Sequence, residues 1–124
     1  MELHELRLVF ITIDTVEAGR ALAQHLVTNH LAACVNIIPA IESVYVWEGS
    51  LHRDSEVLLI AKTTAQAFPQ LEAAVRSTHP YTTPEILAFP VSQAFQGYAD
   101  WVISSVTPPS GDTPTLSATD PSGQ

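Results

Sequence analysis

The chain has 124 residues, the size of one ordinary domain and too short for two independent cores. A hydrophobic fraction of 46% against 15% charged residues excludes a wholly disordered chain. Five basic residues, Lys62 being the sole lysine, stand against thirteen acidic ones for a formal net charge of -8, so no basic stripe exists to neutralise phosphates and no nucleic-acid partner is expected.

The run Leu6 to Ile13, LRLVFITI, is β-branched and short enough for a buried strand. Asp14 is expected to cap a following helix, with Glu17 three residues on completing a capping box. From Thr15 to His30 the positions Val16, Ala18, Ala21, Leu22, Leu26 and Val27 recur at helical spacing and predict an amphipathic helix. Ala33 to Trp47 is strongly β in propensity and interrupted by Pro39; Glu48-Gly49 forms a tight turn, and Leu51 to Lys62 returns, giving a long hairpin. Thr63 and Thr64 are candidate caps for a second helix, with Pro69 in its first turn and Leu71, Ala74 and Val75 on its buried side. That helix ends before His79-Pro80, because proline disfavours helical geometry in the residue ahead of it. Glu85 to Val91 reads as a further strand that ends or lies at an edge near Pro90. Gly97 to Val106 closes the body as a helix with Tyr98, Trp101 and Val102 on one side. The order β-α-β-β-α-β-α is the α+β, ferredoxin-like βαββαβ pattern with a C-terminal helix. The body is expected to span 1–106. In the final 18 residues, 13 are Pro, Gly, Ser or Thr and Leu116 is the only large apolar residue, so 107–124 is expected to be a disordered tail.

Fifteen extended residues from Ala33 to Trp47 would reach about 50 Å, whereas a domain of this size has a radius of gyration of about 13 Å. The hairpin should therefore protrude, even bent at Pro39. Its tip carries Tyr45, Val46, Trp47 and Leu51, and its edges need cover, most simply from further copies of the chain. The single cysteine, Cys34, cannot form an internal disulfide, the opening residues are acidic, and no apolar run approaches the roughly 20 residues needed to span a bilayer. A cytoplasmic protein that does not cross a membrane is the expectation.

Chemistry-bearing residues are few. His79-Pro80-Tyr81-Thr82-Thr83-Pro84-Glu85 places an imidazole, a phenol and a carboxylate on a rigid connection; the alternative is a helix-capping histidine followed by prolines that set the chain's exit path. Cys34 is soft enough to ligate a metal, but a thiol within an apolar strand more often packs as a small core residue. His25 and His30, five residues apart, lie on different helix faces, and no spacing matches a closed zinc site. On the returning strand Glu56, Leu58, Ile60 and Lys62 share one face, opposite Val57, Leu59 and Ala61. Glu56 and Lys62 thus bracket an apolar patch: either an exposed face, or a cleft joined by Trp47, Tyr81 and Glu85 once subunits assemble. No G-x-S-x-G elbow and no glycine-rich phosphate cradle is present.

Four segments in order and spacing, ACVNIIP from Ala33, SVYVWEG from Ser43, DSEVLLIAKT from Asp54 and HPYTTPEI from His79, resemble the CutA family of divalent-cation tolerance proteins, and the similarity runs from about Leu6 to Val106. The resemblance implies a tight homotrimer of ferredoxin-like domains with hairpins exchanged between subunits, a form reminiscent of PII signalling proteins. It implies a non-enzymatic role in the response to metal ions, with copper binding. Cys34 matches the family's strand cysteine and His79 the histidine of its His-Pro-Tyr motif, while two further family metal ligands fall on Ile11 and Thr78. Replacing them with an aliphatic chain and a hydroxyl weakens a soft-metal site, so the expectation is a divalent cation held weakly at His79. The reading from a different class is a PII-like sensor that takes an anionic or zwitterionic small metabolite in an intersubunit cleft of Trp47, Glu56, Lys62, Tyr81 and Glu85.

Overall fold

The computed structural model describes residues 5–106; the expectation of a disordered tail at 107–124 lies outside the described residues. Seven elements follow in the expected order: β1 (Leu6–Ile13), α1 (Val16–Thr28), β2 (Cys34–Trp47), β3 (Ser50–Thr64), α2 (Phe68–Thr78), β4 (Ile86–Pro90) and α3 (Gln96–Val106). The strands form one antiparallel sheet in the order β2-β3-β1-β4, the ferredoxin-like arrangement.

Alternation along the strands decides what each face does. Val9, Ile11 and Ile13 of β1 and Val57, Leu59 and Ala61 of β3 point to one side, where Leu22 and Leu26 of α1 and Leu71 and Val75 of α2 seal them into the main core. Buried Thr63 on the same side satisfies its hydroxyl by donating to the Leu31 carbonyl at 2.7 Å. The other side carries Leu8, Phe10 and Thr12 of β1, Leu58, Ile60 and Lys62 of β3 and Leu87 and Phe89 of β4. There α3 covers one end only, packing Ala99, Val102 and Ile103 on Leu6. Phe10 and Phe89 meet with ring centroids 4.9 Å apart, and Leu87 and Phe89 remain half exposed. Most of a sheet face is thus apolar and left uncovered by the described residues.

The hairpin extends well past the rest of the sheet. Pairing of β3 with β1 ends at Val57, opposite Ile13, but pairing with β2 continues to Ser50 opposite Trp47. Seven residues of β3, or about 23 Å, therefore overhang, as the chain length required. Glu48 and Gly49 close it with φ of 51° and 84°, both left-handed, the conformation of a two-residue turn whose twist matches the strands. Pro39 marks a β-bulge: Ile38 faces Leu58 and Ile41 faces Glu56, so β2 has one extra residue. That residue swaps the parity of β2. Below it Cys34, Asn36 and Ile38 share the open face; above it Ile41, Ser43, Tyr45 and Trp47 do.

Three local expectations are corrected. Thr15, not Asp14, caps α1, its Oγ1 accepting the Ala18 N–H at 3.0 Å, and Glu17 sits one position short of a capping-box partner. Thr63 and Thr64 belong to β3 because β1 pairs with them as far as Leu6, so α2 starts at Phe68; Thr64 Oγ1 still accepts the Ala67 N–H at 3.2 Å. Of the residues expected on one side of α3, Val102 is buried, whereas Tyr98 and Trp101 are each 40% exposed, because the buried stripe runs through Ala99, Val102, Ile103 and Val106.

Candidate functional site

Where β1 ends and the hairpin continues, a recess of about 570 Å³ opens on the uncovered sheet face. Its floor and walls come from three places: Thr12 at the end of β1, Ser43, Tyr45, Trp47, Asp54 and Glu56 on the hairpin, and Tyr81, Thr82, Thr83 and Glu85 on the α2–β4 connection. The hairpin residues meet there only because the Pro39 bulge shifted β2 by one position; without it Ser43, Tyr45 and Trp47 would point to the opposite side.

The connection is anchored by His79. The backbone N–H of Tyr81 donates to His79 Nδ1 at 3.1 Å, which makes Nδ1 the unprotonated nitrogen; Nε2 then carries the proton and donates to the Thr12 carbonyl at 2.7 Å. The neutral ring ties the connection to the end of β1, and its edge meets the Tyr81 ring with centroids 4.7 Å apart. So held, Tyr81 donates its hydroxyl to Glu56 Oε2 at 2.6 Å. Glu56 is only 7% exposed and has no cationic partner among the described residues. Burial, and then the bond to Glu56, push the Tyr81 phenol well above its ordinary range. A second pair lies nearer the tip: Tyr45 donates to Asp54 Oδ2, which raises the Tyr45 phenol too, and its ring stacks on His52 at 5.3 Å.

The recess thus gathers Trp47, Glu56, Tyr81 and Glu85 of the residues singled out from sequence. Lys62 is not brought to it within the chain. Six residues further along β3, about 20 Å away, the lysine donates to Asn36 Oδ1 and lies 3.9 Å from Cys34 Sγ. Cys34 is part-buried on the open face rather than in the main core. Tyr45, Asp54, Thr12 and Ser43 were not singled out for the site; the parity of Asp54 with Glu56 on β3 was the available signal, whereas Tyr45 needed the bulge. Among the described residues no three His, Cys, Asp or Glu side chains converge to hold a metal ion. Both His79 nitrogens face backbone groups, Ile11 is fully buried in the core, and the Thr78 hydroxyl turns back to Ala74 O at 3.4 Å. The single chain does not fit a copper centre built on His79 and Cys34.

The sequence profile described as CutA1 divalent ion tolerance protein matches residues 7–105. The chain belongs to the CutA1 family. The divalent-cation tolerance protein CutA of Thermus thermophilus is 47% identical over 94 residues, which cover 76% of this chain and 91% of that one. The chloroplastic protein CutA of Arabidopsis thaliana is 44% identical over 97 residues, 78% of this chain but 53% of the longer plant protein. Among solved CutA1-family structures, that of the Thermus thermophilus protein aligns with a TM-score of 0.79 over 81% of this chain and 97% of its own, at 44% identity. CutA from Synechococcus elongatus gives 0.81 over 86% and 95%, at 36% identity. The resemblance read from four segments is therefore confirmed, as is the α+β fold. The family is named for divalent-cation tolerance, and no helix among the described residues is long and apolar enough to cross a membrane. Relatives named chloroplastic and periplasmic show that the CutA1 family is not confined to one compartment.

Proposed function

We propose that this chain acts as a non-enzymatic homotrimer in divalent-cation tolerance, with weak and indirect contact with copper or related ions. The observation that carries this reading is the uncovered sheet face. Phe10, Leu58, Ile60, Leu87 and Phe89 line an apolar surface that α3 leaves open, beside a hairpin whose overhang pairs with no third strand among the described residues. A closed ring of three copies would cover the face and pair the edges β2 and β4. A non-catalytic role is supported by the recess itself: the Tyr81 and Tyr45 phenols are raised rather than lowered by their surroundings, and both His79 nitrogens are spent on the backbone, so neither phenol is an activated nucleophile. An unpaired thiol is consistent with the cytoplasm.

Light scattering coupled to size exclusion tests the assembly: three copies of the 13.4 kDa chain give about 40 kDa, and a dominant monomer at micromolar concentration overturns the reading. Calorimetry with Cu(II) and Zn(II) on wild type, Cys34→Ser and His79→Ala tests the ion contact. A tight site lost in either variant would show a built metal centre and replace weak contact. A second reading, a PII-like sensor of a small molecule, is favoured by one observation: a recess of about 570 Å³ suits a small organic ligand far better than a bare ion.

A further inference from the structure

The recess has a distinct chemical bias. Three carboxylates line it, Asp54, Glu56 and Glu85, and among the described residues no lysine or arginine does. An anionic or zwitterionic ligand would meet uncompensated negative charge there; a cation would relieve it. Glu56 sharpens the point. The residue is buried to 7% exposure yet lines the recess, and among the described residues its carboxylate receives a neutral phenol on Oε2 and has no cationic partner. Burying a carboxylate without a counter-charge is costly, and the site as it stands lacks that charge.

The geometry also chooses between kinds of cation. A divalent metal ion needs several lone pairs converging on one point, yet no three ligating side chains do so among the described residues. Asp54 and Glu56 each commit one oxygen to a tyrosine, which leaves separated single acceptors, the pattern that suits diverging N–H donors. Trp47, Tyr45 and Tyr81 add aromatic surface, favourable to an ammonium group with an apolar stem. The Thr12, Ser43, Thr82 and Thr83 side chains supply neutral acceptors.

We propose that the recess binds an organic ammonium ion, a compact aliphatic amine whose N–H groups reach the Glu56 and Asp54 carboxylates while its carbon stem lies against Trp47 and Tyr81. This rests on the small-molecule reading above and names the class of ligand. The test uses the full-length assembled protein, titrated by calorimetry with putrescine, with tetramethylammonium, with glutamate as the anionic comparison and with MgCl2 as the metal alone. Putrescine should bind at one per chain, weaken at least tenfold in Glu56→Gln, which keeps the shape and the bond from Tyr81, and weaken severalfold in Trp47→Leu; circular dichroism and light scattering confirm that both variants fold and assemble as wild type. Added NaCl should weaken binding, and glutamate should not bind. Binding of glutamate in place of putrescine would overturn the ammonium assignment and leave the small-molecule reading standing. Saturable Mg(II) binding that Glu56→Gln abolishes, with no amine binding, would replace the assignment with a metal site. No binding of any probe would overturn both readings, and if Glu56→Gln also dissociates the assembly, the missing cation is a side chain of another copy.

Discussion

His79 and Tyr81 show how a short motif becomes a positioned acceptor. The imidazole makes no contact with the interior of the recess; it joins the α2–β4 connection to Thr12 and thereby sets the phenol over Glu56. His79→Ala should therefore free the connection and cost about 1–3 kcal/mol, the usual range for losing hydrogen bonds at a part-buried site, whereas His79→Gln should recover part of the loss through one of the two contacts. Urea unfolding of the three proteins decides this; equal stability would show that the connection is held by its prolines alone. Tyr81 carries a pH signature. Its folded phenol is raised above the ordinary value of 10.0, first by burial and then by Glu56, so the contribution is fully present below that value and is lost as pH rises above it, where the unfolded phenol ionises and the folded one does not. Tyr98, raised by burial, and Tyr45, raised by its bond to Asp54, act with the same sign. Melting temperature should fall between pH 9.5 and 11, and less steeply in Tyr81→Phe. A parallel decline in wild type and variant would remove Tyr81 from the account.

At the scale of the element, the hairpin depends on two local devices. Gly49 sits at φ 84° with nothing within 4 Å of where a Cβ would stand, so Gly49→Ala meets no clash and measures backbone strain alone, about 1 kcal/mol of destabilisation. A neutral result by chemical denaturation would mean that the turn relaxes without cost at the exposed tip. The bulge is the second device. Pro39 offers no N–H to the ladder, and the extra residue there decides which side of β2 reaches the recess. Deleting Ala40 should restore strict pairing and turn Ser43, Tyr45 and Trp47 away from Glu56. The expected readout is loss of the Tyr45 share of the alkaline transition and stronger fluorescence quenching of Trp47, half exposed to begin with, measured in a Trp101→Phe background; unchanged quenching would place the bulge's extra residue elsewhere.

The whole molecule presents an unfinished surface. One side of the sheet is sealed by α1 and α2, while the other is capped at one end by α3 and otherwise apolar, with Phe10 against Phe89 at its centre. Placing a charge there leaves the core untouched and should act on assembly alone. Phe10→Asp is expected to convert the proposed trimer into monomers, while Glu72→Lys on α2, away from that face, should leave the assembly intact. Light scattering at several concentrations reads the difference, and a Phe10→Asp protein that remains trimeric would move the interface to the hairpin edges.

Element order, the hairpin and its overhang, and the two faces of β3 were legible in the sequence, because they depend on local propensity, period-two alternation and contour length. The four motifs were enough to identify the family for the same reason: they lie within continuous strands and one rigid connection. The local caps were misread by one to four residues, since pairing with β1 carried β3 through Thr63 and Thr64 against their capping preference. The site was only half legible. Glu56, Tyr81, Glu85 and Trp47 stood out individually, but their meeting depends on the end of β1, where the sheet stops and the hairpin does not, and on a bulge that switches the parity of β2. Lys62 shared the face of Glu56, yet six residues of extended chain set them about 20 Å apart. The sequence by itself determined which residues could face the same way; tertiary structure decided which of them are close, because distance across a sheet is fixed by register and by where each strand ends, and neither is encoded at any single position.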